Sequence, residues 1–301
     1  MEAFITIFSA PKPFSDPHIA TIQRNAIQSW LHLGEAVEVL LIGEEPGLEL
    51  VVNDYSLNYI PGVGRNESGT PLVSSLFSAA REWAKSPYLA YVNADILLLP
   101  DFVEAAKQTA GQVENFLIIG QRWDLQVDHL LDFSNGWAQR LKTAVSQTGS
   151  LHLPAGSDYF IYPRHLFNDI PDFAIGRAGW DNWMIYNAKQ ENWMVVDGTP
   201  SITVIHQNHD YSHLPGGRPH YEQEESFVNE DLAGGQGNLY MVLDCDRQIR
   251  DGQLRRPQMN LVWSLRQAER WTAPKNGADS RIRSFITRRF RRLRRRVTGS
   301  L

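Results

Sequence analysis

The chain has 301 residues, 43% hydrophobic and 21% charged, the proportions of a soluble globular protein long enough to bury a substantial core. Gly (22) and Pro (16) together make 38 residues, which excludes collagen-like and low-complexity classes. The formal net charge of −5 hides a division: nine of the 29 basic residues follow position 280 with no acidic residue among them, leaving 20 basic against 34 acidic side chains in residues 1–280, a net of −14. The single cysteine, Cys245, excludes an intrachain disulfide and a need for an oxidising compartment. The opening MEAFITIFSAPKPF lacks a basic n-region and its apolar run stops at Pro11, so it reads as a first strand and not a signal peptide. No apolar run approaches the roughly 18 residues of a spanning helix. A cytoplasmic protein is expected.

In chain order, Ala3–Phe8 is predicted as a strand running into the loop Ser9-Ala10-Pro11. Asp16 and Pro17 open a helix carrying Ile19, Ile22, Ala26, Ile27 and Trp30 at helical spacing, closed by Gly34. Val37–Ile42 is a continuous apolar strand, the pattern of burial on both faces, stopped by Gly43-Glu44-Glu45-Pro46. Leu57–Ile60 is a further strand before the turn Gly62-Val63-Gly64, and Thr70-Pro71 starts a helix with Leu72, Leu76, Ala79, Ala80 and Trp83 on one side. Tyr88–Val92 is a strand ending at Asn93-Ala94-Asp95, and after another helix Phe116–Ile119 is the next. Further on, Asp158–Tyr162, Trp193–Val196 and Ile202–Ile205 are strands, the last ending at His206, with a helix over Trp180–Ala188. Gly234-Gly235-Gln236-Gly237 is a flexible break, Leu261–Trp271 a helix and Thr272–Asp279 a polar linker. The alternation of strand and helix predicts an α/β fold with a mostly parallel sheet flanked by helices. The expected division is a domain over 1–271, a linker over 272–280 and a tail over 281–301.

Three constellations could carry chemistry. Asn93-Ala94-Asp95 ends an apolar strand, and open parallel sheets bind ligands beyond the carboxyl ends of their strands. A carboxylate there can hold a hard divalent cation against a diphosphate and the Asn a sugar hydroxyl; a solvated strand end capping a turn fits the triplet as well. Asp181 stands between Trp180 and Trp183 after Gly176-Arg177-Ala178-Gly179. Partial burial beside apolar rings raises a carboxylate towards the pKa of a useful general base, while aromatic faces suit sugar rings. The alternative is a helix cap with both tryptophans in the core. His206, His209 and His213 lie within eight residues after a strand; a His can complete a carboxylate-and-phosphate metal site, or the loop can simply hydrogen-bond to itself. No zinc-finger spacing is present. Arg65, in Gly62-Val63-Gly64-Arg65-Asn66, is a candidate phosphate contact without the Rossmann or P-loop fingerprint. Asn66-Glu67-Ser68 is formally a glycosylation sequon, of little weight without a secretory signal. No serine nucleophile elbow is found.

In this order the motifs resemble those of GT-A fold, nucleotide-sugar-dependent glycosyltransferases of the family 2-like superfamily: an N-terminal strand and loop, a strand ending in a DxD-like triplet, a Gly-Trp-acidic segment, and a strand ending in His. The resemblance spans roughly residues 3–210. It implies that Asp95, the last carboxylate of the triplet, binds Mn²⁺ or Mg²⁺ bridging the nucleotide diphosphate. Asn93 departs from the first Asp of that triplet and removes one charged ligand. It further implies that Asp181 is the base of an inverting transfer, that His206 (with His209 as fallback) completes the metal site, and that Ser9, Ala10 and Pro11 contact the nucleotide base or ribose. Trp180 and Asn182, flanking Asp181, are the remaining substrate-binding candidates. The expected partners are a nucleotide-diphosphate sugar and a glycan or lipid-linked acceptor. Two rivals stand beside this: a sugar nucleotidyltransferase, which the loop Ser9-Ala10-Pro11-Lys12 fits poorly, and a non-catalytic carbohydrate-binding relative, with which Asn93 and nine Trp are consistent.

The last segment, RIRSFITRRFRRLRRRV over 281–297, places Ile282, Phe285, Ile286, Phe290, Leu293 and Val297 at helical spacing with Arg between them. A basic amphipathic helix on an anionic membrane surface is expected, at the inner face of the membrane. Nucleic acid is disfavoured by the acidic body, and a clamp of the tail onto that body is the third reading.

Overall fold

The computed structural model describes residues 2–209, 221, 223–273 and 281–299; the expectations for Asp210–His213, 274–280 and 300–301 lie outside these. The first half contains β1 (Ile5–Ser9), α1 (Pro17–Leu31), β2 (Val37–Ile42), α2 (Leu48–Tyr55), β3 (Asn58–Ile60), α3 (Val73–Trp83), β4 (Tyr88–Val92), β5 (Ile96–Leu98), α4 (Asp101–Ala110), β6 (Phe116–Ile119), β7 (Trp123–Leu125) and α5 (Trp137–Thr148). The second contains β8 (Ser150–Leu151), β9 (Tyr159–Pro163), α6 (Trp180–Gln190), β10 (Met194–Asp197), β11 (Val204–Gln207), α7 (Glu224–Leu232), β12 (Arg247–Arg250), β13 (Gln253–Arg255), α8 (Leu261–Thr272) and α9 (Arg281–Val297).

Nine strands form the main sheet in the order β13-β12-β10-β6-β9-β4-β1-β2-β3. The pairs among β3, β2, β1 and β4, and those of β10 with β6 and β12, are parallel. Antiparallel β9 joins the two parallel halves. The continuous apolar strands feed two cores. Leu40 and Ile42 of β2 pack with Leu76 and Phe77 of α3 and Met184 and Ile185 of α6. Val39 and Leu41, pointing the other way, pack with Ile27 and Trp30 of α1 and Phe102 of α4. Each fully buried Leu, Ile or Phe contributes about 1.5–3 kcal/mol of transfer free energy, which is why a strand need not alternate when both faces are covered.

Helix α1 begins where the sequence places it: the Asp16 carboxylate accepts from the amides of His18 and Ile19, capping a helix with Pro17 in its first turn. Helix α3 starts at Val73, later than Thr70-Pro71, because Pro71 pairs with Arg65 and Leu72 with Ala174 in isolated bridges. Helix α2 was not anticipated; it spans eight residues and buries only Leu48 and Val51, too little for a periodic signal. The Gly234–Gly237 stretch is folded: both leading glycines take positive φ and deliver the chain into a 3-10 turn over Gln236–Asn238.

A second, four-stranded sheet in the order β5-β11-β7-β8 was also unanticipated. Its strands are two to four residues long, below the length at which period-two patterning is visible. It matters because its register assembles the site. His206, inside β11 rather than beyond its end, pairs with Ile96 on one side and with Asp124 on the other, and Asp95 immediately precedes Ile96.

Candidate active site and cation site

The turn between β4 and β5 presents Asp95 to β11. Asp95 Oδ2 lies 3.1 Å from His209 Nε2 and 3.9 Å from His206 Nε2. One ligand atom from each of Asp95, His206 and His209 falls within 4.8 Å of the others. Asp95 Oδ1 is buried without a hydrogen-bond partner. A buried carboxylate oxygen with no donor costs free energy unless something else satisfies it, and one carboxylate with two imidazoles is a donor set for a divalent cation, the imidazoles favouring a transition metal and the carboxylate compatible with Mn²⁺. The residues present therefore fit a divalent cation. Burial works against ionisation of Asp95, but the hydrogen bond with His209 and the nearby His206 and Lys12 outweigh it and hold the carboxyl well below the usual range.

Lys12 also belongs to this cluster. Its ammonium is 3.7 Å from Asp95 Oδ2 and 3.5 Å from His209 Nε2. The loop that carries it is clamped at both ends of its peptide by buried Gln23 of α1, which accepts from the Lys12 amide at 2.6 Å and donates to its carbonyl at 2.9 Å. On the far side of His206, Asp124 Oδ1 sits 3.4 Å from Nδ1. Asp124 is itself held by Arg122 Nε at 3.0 Å and His152 Nδ1 at 2.7 Å. Burial opposes the charge on Asp124, yet His206, His152 and Arg122 together keep it ionised far into acid. At 3.4 Å His206 Nδ1 is in charge contact with Asp124 but makes no hydrogen bond among the described residues; the other ring nitrogen faces Asp95.

Asn93 is not directed at an open ligand position. Its amide donates to Asp158 Oδ1 and its carbonyl accepts from the Tyr91 hydroxyl, both at 2.8 Å. Arg122 Nη1 makes a second contact to the same Asp158 oxygen at 2.8 Å. Asp158 thereby links the cation cluster to the second constellation.

There, Gly179 (φ +107°) turns the chain into α6 and Asp181 stands in its first turn. Burial pushes the Asp181 carboxyl up to about 6, the opposing backbone hydrogen bonds being insufficient, and repulsion from Asp158 adds to the rise. The loop before β9 passes so close that a Cβ at Gly156 would displace Asp181 Oδ2 from this position. Trp180 is in the core against Phe77, Tyr91 and Phe160, 4% exposed, and Trp183 packs on Phe173. Their rings anchor α6 from below rather than facing a ligand. Asn182 donates to the carbonyls of Ala155 and Tyr240 at 2.8 and 2.6 Å, tying α6 to the loop that holds Gly156.

At the end of β1, Ser9 is fully buried and its Oγ has no partner; Pro11 is buried and Ala10 partly so. Arg65 is engaged elsewhere: Nη2 contacts Glu45 at 2.7 Å, Nε contacts Glu44 at 3.4 Å, and Nη1 donates to the Gly69 carbonyl. Its guanidinium closes the 62–70 loop onto the end of β2. Asp95, His206 and His209 are thus brought together, Asp181 stands apart from them across Asp158, and Arg65, Trp180 and Asn182 are committed to protein partners. Sequence reading passed over Lys12, Asp124 and Gly156. Only Lys12 had a signal, a lone cation between Pro11 and Pro13 after the first strand.

No family model and no curated protein matches the sequence. Solved structures do match. TarS residues 1–349 from S. aureus, in complex with UDP-GlcNAc, aligns over 90% of this chain and 72% of its own at 13% identity, with a TM-score of 0.53. The longer S. aureus TarS aligns over 90% of this chain and 43% of its own at 12% identity, with a TM-score of 0.50. Glucosyl-3-phosphoglycerate synthase from Mycobacterium tuberculosis, with Mg²⁺ and UDP, covers 85% of this chain and 87% of its own at 13% identity and TM-score 0.49. With its mostly parallel main sheet, the inserted antiparallel strand and the small second sheet, the chain has the GT-A fold.

Proposed function

We propose that the protein is a glycosyltransferase that moves a sugar from a nucleotide-diphosphate donor to an acceptor hydroxyl, with inversion. The observation that carries this is the pairing, within one GT-A fold, of an Asp–His–His cluster fit for a divalent cation with a separate half-buried carboxylate that desolvation raises to about 6. The TarS structure that shares the fold holds UDP-GlcNAc, which supports a nucleotide sugar as donor.

In this reading Asp95, His206 and His209 would hold Mn²⁺ or Mg²⁺. The ion, when bound, neutralises charge on the departing diphosphate. Asp124 keeps the His206 ring oriented, and Lys12 adds positive charge on the same side of the site. Ser9, Ala10 and Pro11, at the end of β1 with Ala10 partly exposed, are kept as the nucleoside contact that the resemblance implies. Asp181 accepts the proton of the acceptor hydroxyl as the acceptor oxygen bonds to the anomeric carbon and the bond from that carbon to the diphosphate oxygen breaks. A base with a pKa near 6 is ionised at neutral pH yet still binds a proton usefully. The acceptor is a glycan or a lipid-linked saccharide met at the inner face of a membrane by a cytoplasmic enzyme; the lone buried Cys245 and the Arg-rich helix support that setting.

A thermal-shift screen of UDP-, GDP-, CMP- and dTDP-linked sugars, with and without Mn²⁺, tests the donor assignment. Stabilisation by one nucleotide class that deepens with Mn²⁺ is expected; no shift with any of them refutes the reading. A second reading, nucleotide-sugar binding without transfer, is favoured by Asn93, whose amide is spent on Asp158. Donor binding with no turnover against any acceptor would establish it.

A further inference from the structure

Helix α9 lies on the body in an orientation opposite to that of an ordinary surface helix. A surface helix buries its apolar stripe and shows its charges. Here the stripe Thr287, Arg291 and Arg294 faces the protein, with Thr287 and Arg294 buried. Thr287 Oγ1 meets Thr272 Oγ1 of α8 at 3.1 Å. Buried Glu269 of α8 accepts Arg291 Nε at 2.8 Å and Arg294 Nε at 3.0 Å, with Arg266 Nη1 at 3.2 Å. These contacts fix which way the helix faces. The neighbouring stripe is apolar and stays on the surface: Ile286, Leu293 (47% exposed) and Val297 are exposed, with Phe290 half-buried among them, and Phe285 (54% exposed) stands beside them. Arg289, Arg292 and Arg296 are exposed along the side of that stripe away from the body. On α8, Trp271 in the last turn is 77% exposed.

We infer that α9 is a preset docking surface for an anionic phospholipid bilayer, with its apolar stripe entering the interface and its flanking arginines pairing with lipid phosphates. The inference deepens the placement of the acceptor at a membrane and rests on that reading for its purpose. An exposed apolar row in a soluble chain marks a binding surface. An apolar row lined by Arg, with a Trp nearby, fits the boundary between headgroups and acyl chains. A nucleic acid would use the arginines but gain nothing from Phe285, Ile286 and Leu293. A second copy of the chain would bring two Arg-rich flanks together. Because the Glu269 contacts of Arg291 and Arg294 lie on the body side while the apolar stripe is already exposed, docking needs no release of the helix from the body.

The test is flotation of the purified full chain with vesicles. Mixed phosphatidylcholine–phosphatidylglycerol vesicles are compared with phosphatidylcholine alone and with a DNA duplex as competitor. The wild type should float with the anionic vesicles and not with the neutral ones. The double substitution Ile286→Ser and Leu293→Ser keeps every arginine, changes only exposed side chains, and should lower partitioning at least tenfold. Absence of flotation with anionic vesicles overturns the inference. So does an unchanged partition of the double variant, or displacement of the protein from vesicles by the duplex. Transfer to a soluble acceptor without vesicles, measured on the same samples, separates the two claims. Flotation lost with transfer intact defeats only the docking; transfer lacking with flotation intact defeats only the enzymatic reading.

Discussion

Asp95 and Asp181 are the same side chain placed in two opposite environments. Asp95 is buried among Lys12, His206 and His209, and the hydrogen bond with His209 together with the nearby His206 and Lys12 outweighs desolvation, so it stays ionised. Asp181 is half-buried beside Gly156 and within reach of Asp158, with no cation paired to it among the described residues, and desolvation wins, so its pKa rises to about 6. A helix N-terminus normally favours a carboxylate; at Asp181 that help is insufficient. The difference teaches that burial alone does not assign a role. The charge of the neighbours decides whether a buried acid is a fixed anion suited to hold a cation or a titrating group suited to move a proton.

The comparison breaks most sharply at Asp181. Asp181→Asn should lower transfer by about 10²–10⁴-fold while leaving nucleotide and Mn²⁺ binding near wild type, as seen by calorimetry. The same change should stabilise the fold. An acid whose folded pKa is raised from 3.8 to about 6 favours folding while protonated and costs stability as pH rises through that window. At neutral pH the cost is about 3 kcal/mol as an upper figure, so the variant should melt higher than wild type at pH 7.5 and no higher at pH 4. The wild-type rate should fall as pH drops through about 6, when the base becomes protonated.

Next in size, Asp95→Ala should weaken Mn²⁺-dependent nucleotide binding by about 100-fold or more, since it removes the one carboxylate of the cluster among the described residues. Gly156→Ala drives a methyl group into the Asp181 carboxylate. A misplaced base of this kind costs on the order of 10²-fold in rate, and donor affinity should hold. These two variants sharpen the contrast, since each touches one pole and spares the other.

Asp124→Asn should lower Mn²⁺ affinity by about 10–100-fold through a less ordered His206, detected by titration of the metal alone. Lys12→Met has the smallest expected effect, because the ammonium is partly exposed. It should weaken nucleotide diphosphate binding a few-fold yet tighten binding of Mn²⁺ alone, since the ammonium competes for Asp95. Opposite signs in the two titrations are the mark of that role.

Much of this contrast was legible in the residues. Strands β1, β2, β4 and β6 were visible because both faces are buried and their apolar runs are unbroken. Asp95 and Asp181 stood out because a carboxylate followed a strand in one case and two glycines in the other. Lys12, Asp124 and Gly156 were not legible. Asp124 acts only because β7 pairs with β11 in the register that sets it opposite His206. Gly156 acts only because its loop, tied by Asn182, crosses over α6. Both depend on tertiary register between short segments. The tail was read correctly as amphipathic, yet which stripe meets the body could not be foreseen, because it is set by Glu269 on a different helix.

The most direct test of the account measures nucleotide diphosphate binding with Mn²⁺ by calorimetry in Asp95→Ala and Asp181→Asn side by side, on the nucleotide that the wild type prefers. The account predicts that binding collapses in the first and persists in the second, while neither transfers sugar at an appreciable rate. Equal binding in both variants, or equal loss in both, would contradict the division of the site into a cation-holding pole and a proton-accepting one.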